Sequence, residues 1–314
     1  MRLVALTILV TLLAVQASAK TTPHTGPLFG MDVPSLTALE TAEVAVGARA
    51  AIVGTFADWQ HTPDFPRGLA TKISRRGAVP LISWEPWDSW QGGAEQPGYA
   101  LRTITTGEHD ALIDRWAEQI AAYHRPVMLR FAAEMNGDWL PWSTGVNGNA
   151  SGEYVAAWRH VRERFRRAGA GNAVWVWNPI AAYDGSTPLD ELFPGADVVD
   201  WLAVDGYNWG DMRDWGWQDY DDIFTPTLST FRALAPGAPV MIAETGCAPD
   251  RRKAAWVTDT LERARDGGVD ALVWFEFEKE TDWRLSGSAE AARAALRSWR
   301  HGGDRAAIER AVTR

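Results

Sequence analysis

The sequence has few of the residues that disulfide frameworks, metal clusters and nucleic-acid surfaces require. Its 314 residues include one cysteine, Cys247, which excludes an internal disulfide and a cysteine-ligated zinc cluster. The six histidines are scattered, without the close spacing of a metal-ligand set. Forty acidic residues outnumber 31 basic ones, so no positive surplus exists to bind phosphates, and we expect no nucleic-acid partner. The 18 tryptophans, in contrast, require an explanation beyond core packing.

Residues 1–19 have the pattern of a secretory signal peptide. Arg2 supplies a positive charge, residues 3–15 are apolar, and residues 17–19 are the small residues of a cleavage site. The apolar run is shorter than the about 20 residues that a membrane-spanning helix needs. We therefore predict a secreted, extracellular protein with no membrane partner after cleavage.

Short apolar runs alternate with longer amphipathic segments along the rest of the chain. The predicted strands are residues 28–33, 51–56, 79–84, 127–131, 173–177, 199–204, 239–242 and 271–275, and helical patterns cover residues 110–123, 153–168, 253–265 and 288–299. Several strands are apolar at successive positions, as strands buried on both faces require. The alternation predicts an α/β fold, a single (β/α)8 TIM barrel over residues 20–300, followed by a polar C-terminal tail over residues 301–314 that forms a frayed helix without function.

An open, doubly wound sheet is the alternative fold. Such a sheet binds its ligand with a glycine-rich phosphate turn after the first strand. Residues 29–34 offer no such turn. The barrel is therefore the preferred prediction.

Carboxylates and tryptophans concentrate where the predicted strands end. Glu134 follows the fourth strand and Glu244 the seventh, and active sites of these barrels lie at the carboxyl ends of the strands. More than half of the tryptophans also follow strands, namely Trp59, Trp84, Trp87, Trp90, Trp139, Trp142, Trp209, Trp215, Trp217 and Trp283. Indole faces stack on sugar rings, and paired carboxylates hydrolyse glycosidic bonds. The pattern predicts a glycosidase cleft, although tryptophans could also simply fill a wide barrel mouth.

The segment Glu134-Met135-Asn136-Gly137-Asp138-Trp139 resembles the acid/base segment of glycoside hydrolase family 26, the family of β-mannanases and related endo-β-glycanases. Weaker similarity lies in Ala243-Glu244-Thr245-Gly246, in Asp205-Gly206-Tyr207-Asn208-Trp209 and at Trp274. The resemblance extends over essentially the whole chain after residue 19. It implies a (β/α)8 barrel and hydrolysis with retention of configuration.

The resemblance also implies individual roles. Glu134 would be the general acid/base and Glu244 the nucleophile, with their carboxyl groups about 5–5.5 Å apart. Tyr207 would hydrogen-bond Glu244, and Trp274 would lie under the sugar at the cleaved bond. Arg130 would be the inward-pointing arginine of the fourth strand, and a buried ion pair that fixes the barrel is the alternative for it. No metal or cofactor is implied.

Ala133 departs from the family pattern, which usually has histidine immediately before the acid/base. Loss of the histidine side chain leaves three alternatives: a weaker enzyme, an enzyme that binds a different sugar at this position, or a protein that only binds glycan. Trp84, Glu85 and Asn178 are the candidates to substitute for the histidine. The residues expected to contact the substrate are Trp84, Glu85, Trp87, Asn136, Trp139, Asn178, Trp209 and Trp274.

The predicted function is a secreted retaining endo-β-glycosidase that hydrolyses a plant or microbial β-linked polysaccharide. β-1,4-Mannan is the first expectation, because of its frequency in the family. Mixed-linkage β-glucan, β-1,3-xylan and a catalytically weak glycan-binding barrel are the alternatives. Without evidence for assembly, we expect a monomer.

Overall fold

The computed structural model describes residues 26–313, and the predicted signal peptide lies outside them. Eight parallel strands form a closed barrel in chain order. They are β1 (Leu28–Asp32), β2 (Ile52–Asp58), β3 (Val79–Glu85), β4 (Val127–Phe131), β5 (Ala173–Trp177), β6 (Trp201–Asn208), β7 (Val240–Cys247) and β8 (Ala271–Phe275). The predicted (β/α)8 barrel is confirmed.

The helices lie between the strands and after the last one. They are α1 (Leu36–Val46), α2 (Arg67–Arg75), α3 (Leu101–Thr105), α4 (Asp110–Ala121), α5 (Glu153–Arg167), α6 (Leu189–Leu192), α7 (Tyr220–Leu234), α8 (Lys253–Asp266), α9 (Ala289–Ala295) and α10 (Arg305–Val312). Helix α5 shows why they pack: its buried residues Tyr154, Trp158, Val161 and Phe165 recur every three or four positions and form one apolar face. In the described part of the chain, no helix is long and apolar enough to cross a membrane.

Strands β6 and β7 are longer than the sequence predicts. The predicted strand 199–204 ends before Asp205, but β6 continues to Asn208 and pairs with β7 as far as Cys247. The added residues include the polar ones at the barrel mouth, which have no apolar pattern. Their backbones nevertheless continue the hydrogen-bonded ladder and position their side chains.

Helix α10 closes the barrel at the amino ends of the strands. The sequence predicts a frayed polar tail over residues 301–314, whereas Ile308, Ala311 and Val312 are buried against residues from the starts of the strands. The indole of Trp201, the first residue of β6, donates a hydrogen bond to the Val312 carbonyl over 2.9 Å. Three apolar residues spaced over one helix face outweigh the polar composition that suggested fraying, so the barrel core extends past residue 300.

Candidate active site

Three carboxylates from three different strands converge at the carboxyl end of the barrel. One carboxylate oxygen from each of Glu134, Asp205 and Glu244 lies within 4.8 Å of the other two. Glu134 follows β4, Asp205 lies in β6 and Glu244 in β7. The structure thus brings together the two residues that the sequence singles out, and adds a third.

Arg130 lies beneath this carboxylate cluster and pairs with two of its members. Its Nη1 donates to Glu244 Oε1 over 2.6 Å and to Ser83 Oγ over 3.0 Å, while Nη2 donates to Asp205 Oδ2 over 2.5 Å. Burial alone would lower the pKa of Arg130, but the charges of Asp205 and Glu244 raise it above its usual value. Arg130 therefore both points into the barrel and forms buried ion pairs. The two alternatives that the sequence left open for Arg130 are compatible.

A β-bulge in β7 places Glu244 beside Asp205. Val204 pairs with Ile242 and the next residue, Asp205, pairs with Glu244, so Ala243 is an extra residue in β7. An extra residue re-aims the side chains that follow it, and bulges are common next to active sites. The bulge turns Glu244 toward the barrel mouth, where one guanidinium reaches both carboxylates.

Tyr207 completes the environment of Glu244. Its hydroxyl donates to Glu244 Oε2 over 2.6 Å, on the oxygen that Arg130 does not contact. Glu244 is only 7% exposed. Both oxygens accept a hydrogen bond, which fixes the orientation of the carboxylate.

Glu134 is held by an unusual backbone. Its φ is +57°, and that of Ala132 is +46°, in the left-handed region that non-glycine residues seldom adopt. The Glu134 amide donates to the Asn178 carbonyl over 2.7 Å, which ties the end of β4 to the end of β5. Strained backbone of this kind persists where surrounding contacts enforce it, often at functional sites.

The side chain of Glu134 is half-buried and has one indole partner. Trp139 Nε1 donates to Glu134 Oε2 over 3.0 Å. The Trp139 ring folds back over Gly137, where a Cβ would come within 2.5 Å of the ring, so a larger residue there would displace the indole. Burial and the charge of Glu244 raise the pKa of Glu134 to about 7, although the Trp139 bond lowers it. A carboxyl group with this pKa is protonated below neutral pH and can act as an acid.

Glu85 is a second carboxyl group with a raised pKa at the mouth. It ends β3, is half-buried, and accepts a hydrogen bond from Trp87 Nε1 over 3.0 Å. Burial raises the pKa of Glu85 to about 7, against the effect of the Trp87 bond. The Trp87 ring packs edge-on against Trp142, with ring centroids 5.9 Å apart. Glu85 and Trp87 are therefore placed where a substrate could reach them.

Trp84 and Trp274 are wrongly predicted as substrate contacts. Both are 0% exposed, because they lie on the outward faces of β3 and β8 and pack against the helices. Trp84 contacts Trp116 of α4, with ring centroids 5.0 Å apart. Trp274 packs against Trp256 of α8 and donates its Nε1 to the Trp283 carbonyl over 2.9 Å.

The two predicted asparagine contacts are also buried. Asn136 is 1% exposed, and its amide exchanges two 2.9 Å hydrogen bonds with the backbone of Ile180. Asn178 is 0% exposed and donates to the Pro179 carbonyl. The Asn136 side chain thus joins the loops after β4 and β5, and the Asn178 side chain contacts Pro179 and Asp205. Neither is available to a sugar, which corrects the prediction.

Trp209 and Trp139 remain accessible from the mouth. Trp139 is 41% exposed and stacks near Tyr183, with centroids 6.3 Å apart. Trp209 is half-buried, packs edge-on against Trp283, and carries the Arg213 guanidinium 4.3 Å above its ring. Trp209 also lines a cavity of about 320 Å³ between the loops after β6, β7 and β8.

Asp205 and Asp32 complete the charged surroundings, although the sequence assigns them no role. Asp32 ends β1, is fully buried, and lies so close to Gly54 that a Cβ there would be 1.4 Å from its Oδ1. Burial and the charge of Glu244 raise the pKa of Asp32 well above its usual range. Asp32 is the last residue but one of the predicted strand 28–33, and Asp205 directly follows the predicted strand 199–204. That position is the signal that could have identified them.

The carboxylate cluster also has the spacing of a metal site among the described residues. Carboxylate oxygens are ligands that hard cations prefer. Here Arg130 already supplies a fixed positive charge to Asp205 and Glu244 at hydrogen-bond distance. The residues present therefore fit a pair of carboxylates, Asp205 and Glu244, whose charge is balanced by the Arg130 guanidinium, with Glu134 beside them.

Comparison with known proteins agrees with this geometry. The sequence profile of "Glycosyl hydrolase family 26" matches residues 20–246. Endoglucanase H of Acetivibrio thermocellus is 36% identical over 270 residues, which are 83% of this chain and 29% of that protein. Beta-1,3-xylanase TXYA of a Vibrio species is 28% identical over 67% of this chain and 44% of its own length. The chain thus spans less than half the length of these two curated relatives.

The fold comparison adds a solved structure. A GH26 β-mannanase from Bacteroides ovatus superposes with a TM-score of 0.68 at 19% identity, over 91% of this chain and 93% of that one. At this identity the likeness concerns the fold alone. Together with the profile match over most of the sequence, it leads to one conclusion: the chain belongs to glycosyl hydrolase family 26, whose members hydrolyse glycosidic bonds.

Proposed function

We propose that this protein is a retaining endo-β-glycanase in which Glu244 is the nucleophile and Glu134 the general acid/base. The observation that carries the proposal is that one carboxylate oxygen of Glu134 lies within 4.8 Å of one of Glu244. Inverting enzymes keep their carboxyl groups about 6.5–9.5 Å apart to admit a water molecule, whereas retaining enzymes keep them about 5–5.5 Å apart. The short spacing supports double displacement.

The electrostatics of the pair support the same assignment. Glu244 would attack the anomeric carbon while Glu134, protonated because its pKa is about 7, donates its proton to the departing oxygen. Once Glu244 has become an ester, its negative charge no longer raises the pKa of Glu134. Glu134 can then accept a proton from the water that releases the glycosyl-enzyme.

The relatives and Ala133 support a substrate class in which mannan is not the first candidate. The relative with 36% identity over most of this chain is named an endoglucanase, whereas the mannanase structure at 19% identity carries the fold alone. Ala133 is 6% exposed and leaves the position before the acid/base without the histidine usual in the family. We therefore place β-glucan first, mixed-linkage β-glucan included, and mannan and β-1,3-xylan second.

Endo action is supported by where the accessible aromatic residues lie. In a closed barrel ordered β1 to β8, the ends of β2 and β3 face those of β6 and β7 across the mouth. Trp87 follows β3 and Trp209 follows β6, so aromatic rings flank the carboxylates on opposite sides. A chain that crosses the whole mouth would be cut internally. Export through residues 1–19 and a monomeric state remain part of the proposal.

A reducing-end assay tests the function. Wild type and Glu244→Ala are incubated with mixed-linkage β-glucan, soluble cellulose, mannan, galactomannan and β-1,3-xylan, and the anomeric configuration of the first product is followed by proton NMR. We expect release from a β-glucan, a β-configured first product, and no release by the variant. An α-configured first product would overturn retention, and binding without release by folded wild type would favour the glycan-binding alternative.

A further inference from the structure

Trp90 exposes more of its side chain than the other large hydrophobic residues of the described chain. It lies in the loop after β3 and is 82% exposed. An indole in water forgoes the favourable free energy of burying its apolar surface. Single exposed hydrophobic residues are common, so exposure alone has no functional meaning. The contacts that hold the Trp90 ring in place indicate a function for its exposure.

One face of the Trp90 ring is covered by an imidazole. The His61 ring stacks on it with centroids 3.8 Å apart and an interplanar angle of 18°. The stack leaves the opposite face of the indole open to solvent. The result is a flat aromatic surface, backed on one side and presented on the other.

Hydrogen bonds fix both rings of this stack. Asp88 Oδ1 contacts His61 Nε2 at 2.8 Å and accepts the amides of Trp90 and Gln91 at 3.0 and 3.1 Å. Asp58 accepts the His61 amide over 2.7 Å and the Ser89 hydroxyl over 2.5 Å. The Asp88 carboxylate thus holds the His61 imidazole and the Trp90 backbone together. The Asp58 carboxylate joins the loops after β2 and β3.

The Gln96 side chain stabilises the same loop from below. It is buried, accepts the Asp88 amide over 2.8 Å, and donates to the carbonyls of Asp88 and Gly93 over 3.0 and 3.1 Å. Ordering a side chain and its loop in advance lowers the entropy that a bound ligand must otherwise overcome. An exposed ring with this much support is pre-organised for contact with a ligand.

The stack lies on the catalytic side of the barrel. Asp58 and Glu85, the last residues of β2 and β3, are register partners, and His61 and Trp90 follow them by a few residues. The amide of Gln60 donates to the carbonyl of Trp87, which connects the stack to the residues next to Glu85. The stack is therefore an outward continuation of the cleft, opposite the Trp209 side.

We propose that Trp90, backed by His61, is a remote subsite that binds a pyranose ring of a β-linked polysaccharide whose cleaved bond lies at Glu134 and Glu244. The inference rests on the proposed function and names an additional contact for its substrate. The C–H face of a pyranose would stack on the open face of the indole. Such a subsite adds affinity for long chains, which reach from the carboxylates to Trp90.

Chain length provides the test. Kinetics on soluble mixed-linkage β-glucan and on a series of shorter gluco-oligosaccharides are compared for wild type, Trp90→Ala, Trp90→Phe and His61→Ala. Val44→Ala is the matched control, because Val44 is 80% exposed on α1, outside the barrel mouth. Retention of each protein in gels that contain the polymer measures binding independently of turnover, and thermal melting confirms folding.

We expect Trp90→Ala to raise KM for the polymer about threefold to tenfold, with kcat at saturation within about twofold, as the loss of one stacking contact predicts. The defect should diminish as the substrate is shortened, Trp90→Phe should restore most of the affinity, and His61→Ala should give an intermediate KM. Val44→Ala should match wild type.

Three results would overturn the inference. Equal KM and gel retention for wild type and Trp90→Ala would show that the ring binds no sugar, while the proposed function stands. A defect of equal size at every chain length would place the effect in the catalytic cleft. If wild type releases no reducing ends, the proposed function fails, and polymer retention alone then decides: loss of retention in Trp90→Ala supports the subsite, and no retention by wild type rejects it.

Discussion

Tyr207 donates its hydroxyl to Glu244 across 2.6 Å, from the side of the carboxylate opposite Arg130. The two donors hold the two oxygens of one buried group. Arg130 is buried, whereas Tyr207 is half-buried at the mouth. The pair therefore determines how Glu244 is aimed at an anomeric carbon.

Removal of this hydroxyl should slow the reaction without unfolding the protein. A hydrogen bond to a charged group contributes about 1.5–3 kcal/mol, which corresponds to about a tenfold to hundredfold decrease in kcat for Tyr207→Phe. Tyr123→Phe is the control, because it removes another buried tyrosine hydroxyl, bonded to Ser74 over 2.7 Å, away from the site. Steady-state kinetics that show equal kcat for both variants would contradict the positioning role.

The pH dependence should report Glu134. The acid must be protonated in the free enzyme, and its pKa is about 7, so kcat/KM should decrease as the pH rises through about 7. Glu134→Gln should lower activity about 10²–10⁴-fold and remove this alkaline limb. Substrates with a leaving group that needs no protonation should be largely spared in the first step. A wild-type alkaline limb that persists in the variant would assign the titration to another group.

The position of that limb should depend on Trp139. The indole donates to Glu134 Oε2 and lowers the pKa of Glu134, since it stabilises the ionised form. Trp139→Phe removes the donor but keeps an aromatic ring, so the pKa of Glu134 should rise and the alkaline limb should move to higher pH. The pH profile of kcat/KM measures the shift, and movement toward lower pH would contradict the assigned role of the bond.

Strand position singled out Glu134 and Glu244 from the sequence, because a carboxylate shortly after a buried parallel strand is unusual and active sites of these barrels lie at the strands' carboxyl ends. The outward orientation of Trp84 could also have been predicted from its position in the strand. Ser83 and Glu85 face the barrel interior, so period-two alternation points Trp84 outward toward the helices.

Other features had no signal in the sequence. Val273, Trp274 and Phe275 are all large and apolar, so nothing in the pattern tells which of them faces the mouth. The bulge at Ala243 likewise has no sequence mark, although it sets the direction of Glu244. The burial of Asn136 and Asn178 depends on contacts between loops that are distant in the sequence.

Glu85 should destabilise the fold at alkaline pH. Its folded pKa, about 7, lies above its ordinary value, so the native state binds the proton more tightly than the unfolded chain. Stability is therefore present at acidic pH and decreases as the pH rises toward 7. Glu85→Gln carries no charge to lose, and its melting temperature relative to wild type should increase between pH 5 and pH 8.

At pH 8 we expect Glu85→Gln to exceed wild type in free energy of unfolding by about 1 kcal/mol, after allowance for the half-exposed side chain. This corresponds to a melting temperature about 2–4 °C higher. Glu290→Gln is the charge-matched control, because it removes one exposed carboxylate from α9. Calorimetry at the two pH values separates the variants. A gain that is the same at both, or that equals the control, would show that ionisation of Glu85 is not the cause.

Ile308 tests whether α10 belongs to the barrel. The side chain is 2% exposed among apolar residues at the amino ends of the strands, on the face opposite the carboxylates. Ile308→Ala removes buried methylenes and should lower the free energy of unfolding by about 2–5 kcal/mol. Arg310→Ala, on the exposed face of the same helix, should lie within about 0.5 kcal/mol of wild type. Urea unfolding gives both values, and kcat at 25 °C should be unaffected because the active site lies at the other end of the barrel. Equal stability of the two variants would mean that residues 301–313 form a tail after all.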